Sequence, residues 1–242
     1  STLPQPALRT DLEAALGGFG HPLEEGLKIE ARLFNSLLDQ PEIRTGASAF
    51  VSREHPDRVA GAAPLHLPGA AYSFAERAHR GQPDKDGTGN FIDHPARVAR
   101  IVAGQGGGNI AVAAAYLHDT VENTGVTDGE IEAAFGPGMR ELVAALGQDP
   151  EIDDRDERRR DHRNRVAVAG PTARLVYLAD RLDGIEAMIG RIEAGEDPEA
   201  LEVERRISQW RGDVEAMAGL EPPPGLVAEI NDRLDLLERL AS

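Results

Sequence analysis

Residues 109–124 read NIAVAAAYLHDTVENT. From Ile110 to Leu117 every side chain is apolar or aromatic, most of them small, so a helix here has no face to offer water. Such a helix is stable only when other elements enclose it. The segment then runs into His118 and Asp119. An imidazole and a carboxylate at the end of a buried helix are costly unless something pairs with them. The chain therefore needs a surrounding bundle and a partner for two polar groups.

Helical patterns flank this segment. AAYSFAERAHR at 70–80 and HPARVARIVAG at 94–104 read as helices, the second with Pro95 just inside its start. Asn109 is a candidate N-cap for the helix that continues to residue 124. Thr127 with Glu130 three residues later forms a capping box, and GMRELVAALG is expected to continue that helix. Residues 153–170 are charged but helical in propensity. Residues 171–195 carry Leu175, Leu178, Leu182, Ile185 and Ile189 at helical spacing. A last pair covers 198–218 and 223–240. The loop 81–93 is rich in Gly and Asp, too polar for a strand. The expectation is an all-α fold with a helical extension at 1–60, a Gly/Pro/Ala linker at 61–69 and a main domain at 70–242.

The 242 residues suffice for one large domain or a small one with an appendage. With 42 acidic against 26 basic residues the net charge is −16, which disfavours nucleic acid as a partner. A small phosphorylated ligand remains compatible if cations gather locally or a metal supplies charge. No cysteine is present, so disulfides and thiolate metal sites are excluded. No apolar run long enough for a membrane helix occurs, and the N-terminus lacks a signal-peptide pattern. A cytoplasmic location is expected.

His94, His118, Asp119 and Asp180 can be read as a mixed N/O metal site, suited to Mn²⁺, Fe²⁺ or Zn²⁺ and to hydrolysis through an activated water. His118 and Glu122 are four apart and Asp119 and Glu122 three apart, so all three can face one cavity. Glu122 is then placed to orient that water or take its proton. The alternative is plain: His118 and Asp119 as a hydrogen-bonded pair, and Asp180 paired with Arg181 or Arg174.

Further matches narrow the choice. FAERAHRGQ, DKDGTGNFIDHPARVARIV, AAAYLHDTVENTGVTDGEIEAAFG, LVAAL and PTARLVYLADRLDG occur in this order. In these stretches the region 70–220 resembles the HD-type hydrolase domain of the RelA/SpoT alarmone family, above all its small single-domain members. That resemblance implies an all-α HD-domain bundle, a Mn²⁺ cofactor and removal of the 3′-diphosphate from guanosine tetra- or pentaphosphate as pyrophosphate. Carried over, His94, His118, Asp119 and Asp180 are the metal ligands, and Glu122 is the acidic member of the catalytic Glu-Asp pair. Lys85 lies against the substrate, and Arg155, Arg158 and, less directly, Arg206 contact phosphate. The competing reading of RDERRRDHRNR is a solvated, self-paired helix face.

The departures fall around the substrate. The pair is Glu122-Asn123, and an amide cannot carry a proton. Asp84 stands where an Arg precedes Lys85. Phe91 keeps an aromatic face but lacks a hydroxyl. Gly184 replaces an Asn that holds the nucleoside, and Asp183 replaces a His or Tyr. A slow hydrolase or one of changed specificity follows. The rivals are a phosphohydrolase for another nucleotide and a non-catalytic binding module.

Residues 23–58 resemble the C-terminal helices of the enoyl-CoA hydratase/isomerase family, without the rest of that fold or its catalytic groups. A remnant used for packing or homo-oligomer formation is expected.

Overall fold

The computed structural model describes residues 67–83 and 89–242. The expected extension at 1–60, most of the linker, Asp84 and Lys85 lie outside the described residues. Those described form helices α1 (Leu67–Ala78), α2 (Asp93–Gly104), α3 (Asn109–Leu117), α4 (Thr120–Asn123), α5 (Asp128–Phe135), α6 (Pro137–Leu146), α7 (Arg155–Ala169), α8 (Pro171–Glu193), α9 (Val203–Ala218) and α10 (Pro224–Leu240). The fold is all-α. An isolated antiparallel bridge pairs Pro83 with Asn90. Leu67, Pro68 and Gly69, assigned to the linker by composition, already belong to α1.

α3 is the buried rod expected of its composition: Ala111 through Leu117 are all buried. α1 and α2 pack on it, and α8 packs against α2, α3, α6, α7, α9 and α10. Leu178, Ala179, Leu182 and Ile185 line the inward side of α8. Tyr72 and Tyr116 meet edge to face at 5.3 Å and join α1 to α3.

Three boundaries differ from expectation, each for a local reason. Gly108, extended at ψ 176°, caps α3, and Asn109 is its first residue. The helix expected through residue 124 stops at Leu117 and restarts at Thr120. His118 Nδ1 donates to the Ala115 carbonyl at 2.7 Å and Thr120 Oγ1 to that of Leu117 at 2.6 Å. These side chains satisfy carbonyls a continuing helix would have bonded. The capping box at Thr127 and Glu130 is present, but α5 does not run into α6. Gly136 adopts φ +86°, open to glycine, and Pro137 starts the next helix. Gly170 (φ +103°) and Pro171 repeat the device between α7 and α8.

Candidate metal centre and cleft

A cleft of about 390 Å³ opens where α2, the α3–α4 junction, α7, α8 and α9 converge. His94, from the first turn of α2, and His118 are only 6% and 5% exposed. Asp119 follows His118 at the helix break, and Asp180 comes from the middle of α8. His94 Nε2 lies 3.5 Å from Asp119 Oδ2 and 3.3 Å from Asp180 Oδ1. His118 Nε2 lies 3.4 Å from Asp119 Oδ1 and 3.8 Å from Asp180 Oδ1. His94, His118 and Asp180 each offer a ligand atom within 4.8 Å of the others.

Of these, His94, His118 and Asp180 fit a divalent cation, and Asp119 faces the same point. Both imidazole Nε2 atoms are buried without a hydrogen-bond partner. Each ring uses Nδ1 elsewhere: His94 on Asp183 at 2.7 Å, His118 on the Ala115 carbonyl. Donors about 2.0–2.2 Å from one ion lie roughly 3.0–3.5 Å apart, close to the spacing found. Two carboxylates facing the same point also need positive charge. Burial lowers the His94 pKa, but contacts with Asp180 and Asp183 outweigh it and raise it to about 10. A proton on His94 thus supplies charge that a cation would otherwise bring.

The outer groups are fixed in turn. Burial would raise the Asp180 carboxyl, yet the Arg181 guanidinium and His94 hold it well below the usual range. Arg181 Nη1 is 2.8 Å from Asp180 Oδ2, which leaves Oδ1 toward the imidazoles. Arg181 Nε and Arg163 Nη1 flank Asp213 at 2.9 and 3.0 Å. Asp183 is 4% exposed and is gripped by Arg97 through Nε to Oδ1 at 2.7 Å and Nη2 to Oδ2 at 3.2 Å.

Glu122 and Asn123 sit at the mouth of the cleft. Glu122 Oε2 accepts from the Gln148 N–H at 2.9 Å. Its carboxyl is raised, first by desolvation and then by Asp119 and Asp180, while the Gln148 bond opposes. The Asn123 carbonyl accepts from Gln82 Nε2 at 2.8 Å, and Gln82 Oε1 faces His79 Nδ1 at 2.8 Å.

The expected substrate residues separate. Gly184 and Arg206 line the cleft, with Gly184 beside Trp210. Arg155 and Arg158 are not among its lining residues; Arg158 turns to the Ile152 carbonyl at 3.1 Å. Arg159 takes that place, its Nη1 buried without a hydrogen-bond partner. The charged run divides: Arg165 pairs with Asp161 as a solvated face does, Arg159 turns inward, and His162 is buried. Phe91 is buried, its ring stacked on His79 at 4.4 Å rather than open to a base. Sequence reasoning missed Arg97, Arg181, His162 and Trp210 as cleft residues, and within the basic segment 155–163 it favoured Arg155 and Arg158 over Arg159. The signal available was the helical phase of α7, which sets Arg159 and His162 three apart on one face.

Residues 71–207 match the HD domain family. The chain belongs to this family. Within it, the guanosine-3′,5′-bis(diphosphate) 3′-pyrophosphohydrolase MESH1 of Homo sapiens is 41% identical over 115 residues, 46% of this chain and 64% of the human protein. The guanosine-3′,5′-bis(diphosphate) 3′-pyrophosphohydrolase of Aquifex aeolicus (strain VF5) is 33% identical over 120 residues, 49% of this chain and 17% of that protein. The aligned region thus spans somewhat under two thirds of MESH1. A solved structure described as a metazoan ortholog of SpoT that hydrolyzes ppGpp superposes with a TM-score of 0.57 at 23% identity, covering 74% of this chain and 97% of that one. The structure of lmo0812 from Listeria monocytogenes EGD-e gives 0.51 at 23% identity, over 67% and 99% of the two chains. These structural likenesses establish the HD-domain fold.

Proposed function

We propose that this HD-domain chain is a divalent-cation-dependent phosphohydrolase that removes the 3′-diphosphate of guanosine 3′,5′-bis(diphosphate) as pyrophosphate. The observation that carries the reading is the convergence of His94, His118, Asp119 and Asp180 on one point, with both Nε2 atoms free of hydrogen bonds. The activity named for MESH1 and for the Aquifex aeolicus protein supports the substrate. Mn²⁺ suits the mixed imidazole and carboxylate donors. When bound, the cation supplies Lewis acidity toward phosphate oxygens and lowers the pKa of water.

The chain's own residues do the rest. Glu122, fixed by Gln148 and raised in pKa, takes the proton of the attacking water. The water oxygen bonds to the phosphorus next to the ribose, the bond from that phosphorus to the 3′ oxygen breaks, and the 3′ oxygen receives a proton. Arg159 and Arg206 counter the diphosphate charge along the wall. Asn123 can hydrogen-bond the water but cannot relay its proton. The reaction is therefore slow relative to that of a Glu-Asp pair. Lys85, outside the described residues, is assigned to the same phosphate-binding set by the family resemblance. Cytoplasmic residence and self-association through the N-terminal segment form part of this reading.

A second reading is hydrolysis of another nucleotide, such as an adenine alarmone or a phosphorylated nucleotide cofactor. Gly184 favours it, because no side chain there reaches a nucleoside beside Trp210. The experiment is to assay purified protein with and without Mn²⁺ against a nucleotide panel, identifying phosphate and pyrophosphate. Mn²⁺-dependent pyrophosphate from guanosine 3′,5′-bis(diphosphate) supports the first reading, and release from another nucleotide alone supports the second. Bound metal without turnover on any of them supports a binding module.

A further inference from the structure

Asp183 follows the ligand Asp180 by three residues, one turn along α8. By resemblance it replaces a substrate-side His or Tyr, yet its carboxylate is committed elsewhere. Oδ2 lies 2.7 Å from His94 Nδ1, across 89 residues of chain. Arg97, one turn after His94 on α2, clasps both carboxylate oxygens.

From this geometry we infer that Asp183 is a positioning residue for the metal-binding imidazole of His94, with Arg97 fixing the carboxylate in turn. The inference rests on the cation reading of the centre and is independent of the substrate. A histidine ring can turn over about its last torsion, which exchanges Nε2 with a carbon and Nδ1 with a carbon. The N–H to carboxylate bond forbids that exchange, so Nε2 stays aimed at the point that Asp119 and Asp180 share. The Asp183 charge also makes that nitrogen a better donor to a cation. Arg97 removes the carboxylate's freedom to swing into the cleft, which Asp183 and Arg97 both border. The replacement at 183 is therefore a change in the support of the metal, rather than in the contact with the nucleotide.

The test uses the full chain and Mn²⁺ alone, by titration calorimetry, with the imidazole N–H signals of Zn²⁺-loaded, ¹⁵N-histidine-labelled protein as a second readout. Asp183→Asn is expected to weaken Mn²⁺ about 10–100-fold and to shift the His94 Nδ1–H signal, at unchanged helix content. Arg97→Gln is expected to weaken Mn²⁺ by less and to keep the signal. Affinity within about threefold of wild type in Asp183→Asn, well short of such losses, with the signal unmoved, overturns the inference and leaves a plain helix-to-helix ion pair. If Asp183→Asn does not fold, Arg97→Gln decides: weakened Mn²⁺ supports the role, and unchanged affinity overturns it. Wild-type protein that binds no Mn²⁺ overturns the cation reading itself.

Discussion

Arg181 Nη1 stands 2.8 Å from Asp180 Oδ2, on neighbouring residues of one helix. The same guanidinium reaches Asp213 on α9, which Arg163 on α7 also holds. One cleft-facing carboxylate is thus tied to three helices through two arginines and a buried aspartate.

Asp213→Ala leaves Arg163 without its counter-charge and Arg181 with Asp180 alone, in a mostly buried setting. Breaking a buried pair from one side costs about 3–5 kcal/mol. The expected loss of folding stability is about 3 kcal/mol, read from urea unfolding of the metal-free protein. A loss below about 1 kcal/mol, the scale of an exposed pair, shows that the network contributes little.

His94 carries a proton in the metal-free protein up to about pH 10. Mn²⁺ must displace it, so apparent affinity falls as pH falls, by up to about tenfold per unit in the neutral range. Calorimetry in buffers of different ionisation heat measures the released proton. His118→Ala is expected to abolish the rise in melting temperature on adding Mn²⁺, which reaches about 2.7 kcal/mol of stabilisation at a hundredfold excess over Kd.

His162 is 5% exposed, and burial with the nearby Arg181 and Arg165 lowers its pKa to about 4, against 6.5 unfolded. The unfolded chain binds the extra proton between these values. The contribution is complete above pH 6.5 and is lost as pH falls toward 4, by up to about 3 kcal/mol. His162→Gln should flatten this part of the stability profile, followed by urea midpoints at pH 7, 5.5 and 4.5.

Arg159 and Arg158 are neighbours with opposite orientations. Arg159→Ala removes a charged donor from the cleft, and such hydrogen bonds contribute about 1.5–3 kcal/mol, roughly 10–100-fold in kcat/KM. Arg158→Ala should stay within about threefold, since only a surface contact to Ile152 is lost. Steady-state kinetics on guanosine 3′,5′-bis(diphosphate) separates the two, and equal effects would show that α7 presents a different face to substrate.

Asn123→Asp restores a second proton-carrying group beside Glu122. General acid–base groups contribute about 10²–10⁴ in rate, and a gain near the lower end is expected in released pyrophosphate. No gain, with nucleotide binding intact, counts against a guanosine 3′,5′-bis(diphosphate) hydrolase that this single change can repair.

The helices were legible because apolar spacing decides where a bundle can close, and α3 and α8 announce themselves by composition. Of the four converging residues, His118, Asp119 and Asp180 were legible because polar groups at the end of α3 and inside α8 interrupt runs that otherwise stay apolar, and His94 because Pro95 marks a helix start beside it. The break at His118 was not, since it depends on two side chains choosing carbonyls over solvent. Arg159 over Arg158 turns on the exact phase of a helix whose first two turns are almost wholly charged, so that only His162, three residues after Arg159, marks the inward side. Asp183 read as a lost substrate contact because its partner is 89 residues away.

The joint between α3 and α4 sets how this chain tolerates changes in length. On an unbroken helix successive side chains diverge by about 100°. Here His118 and Asp119 bring donor atoms to 3.4 Å of each other within one short turn. Residues added ahead of Asn109 or beyond Thr124 would carry both ligands along together. A single residue inserted between His118 and Asp119 would part them, so that one peptide bond is where the protein can least afford to grow.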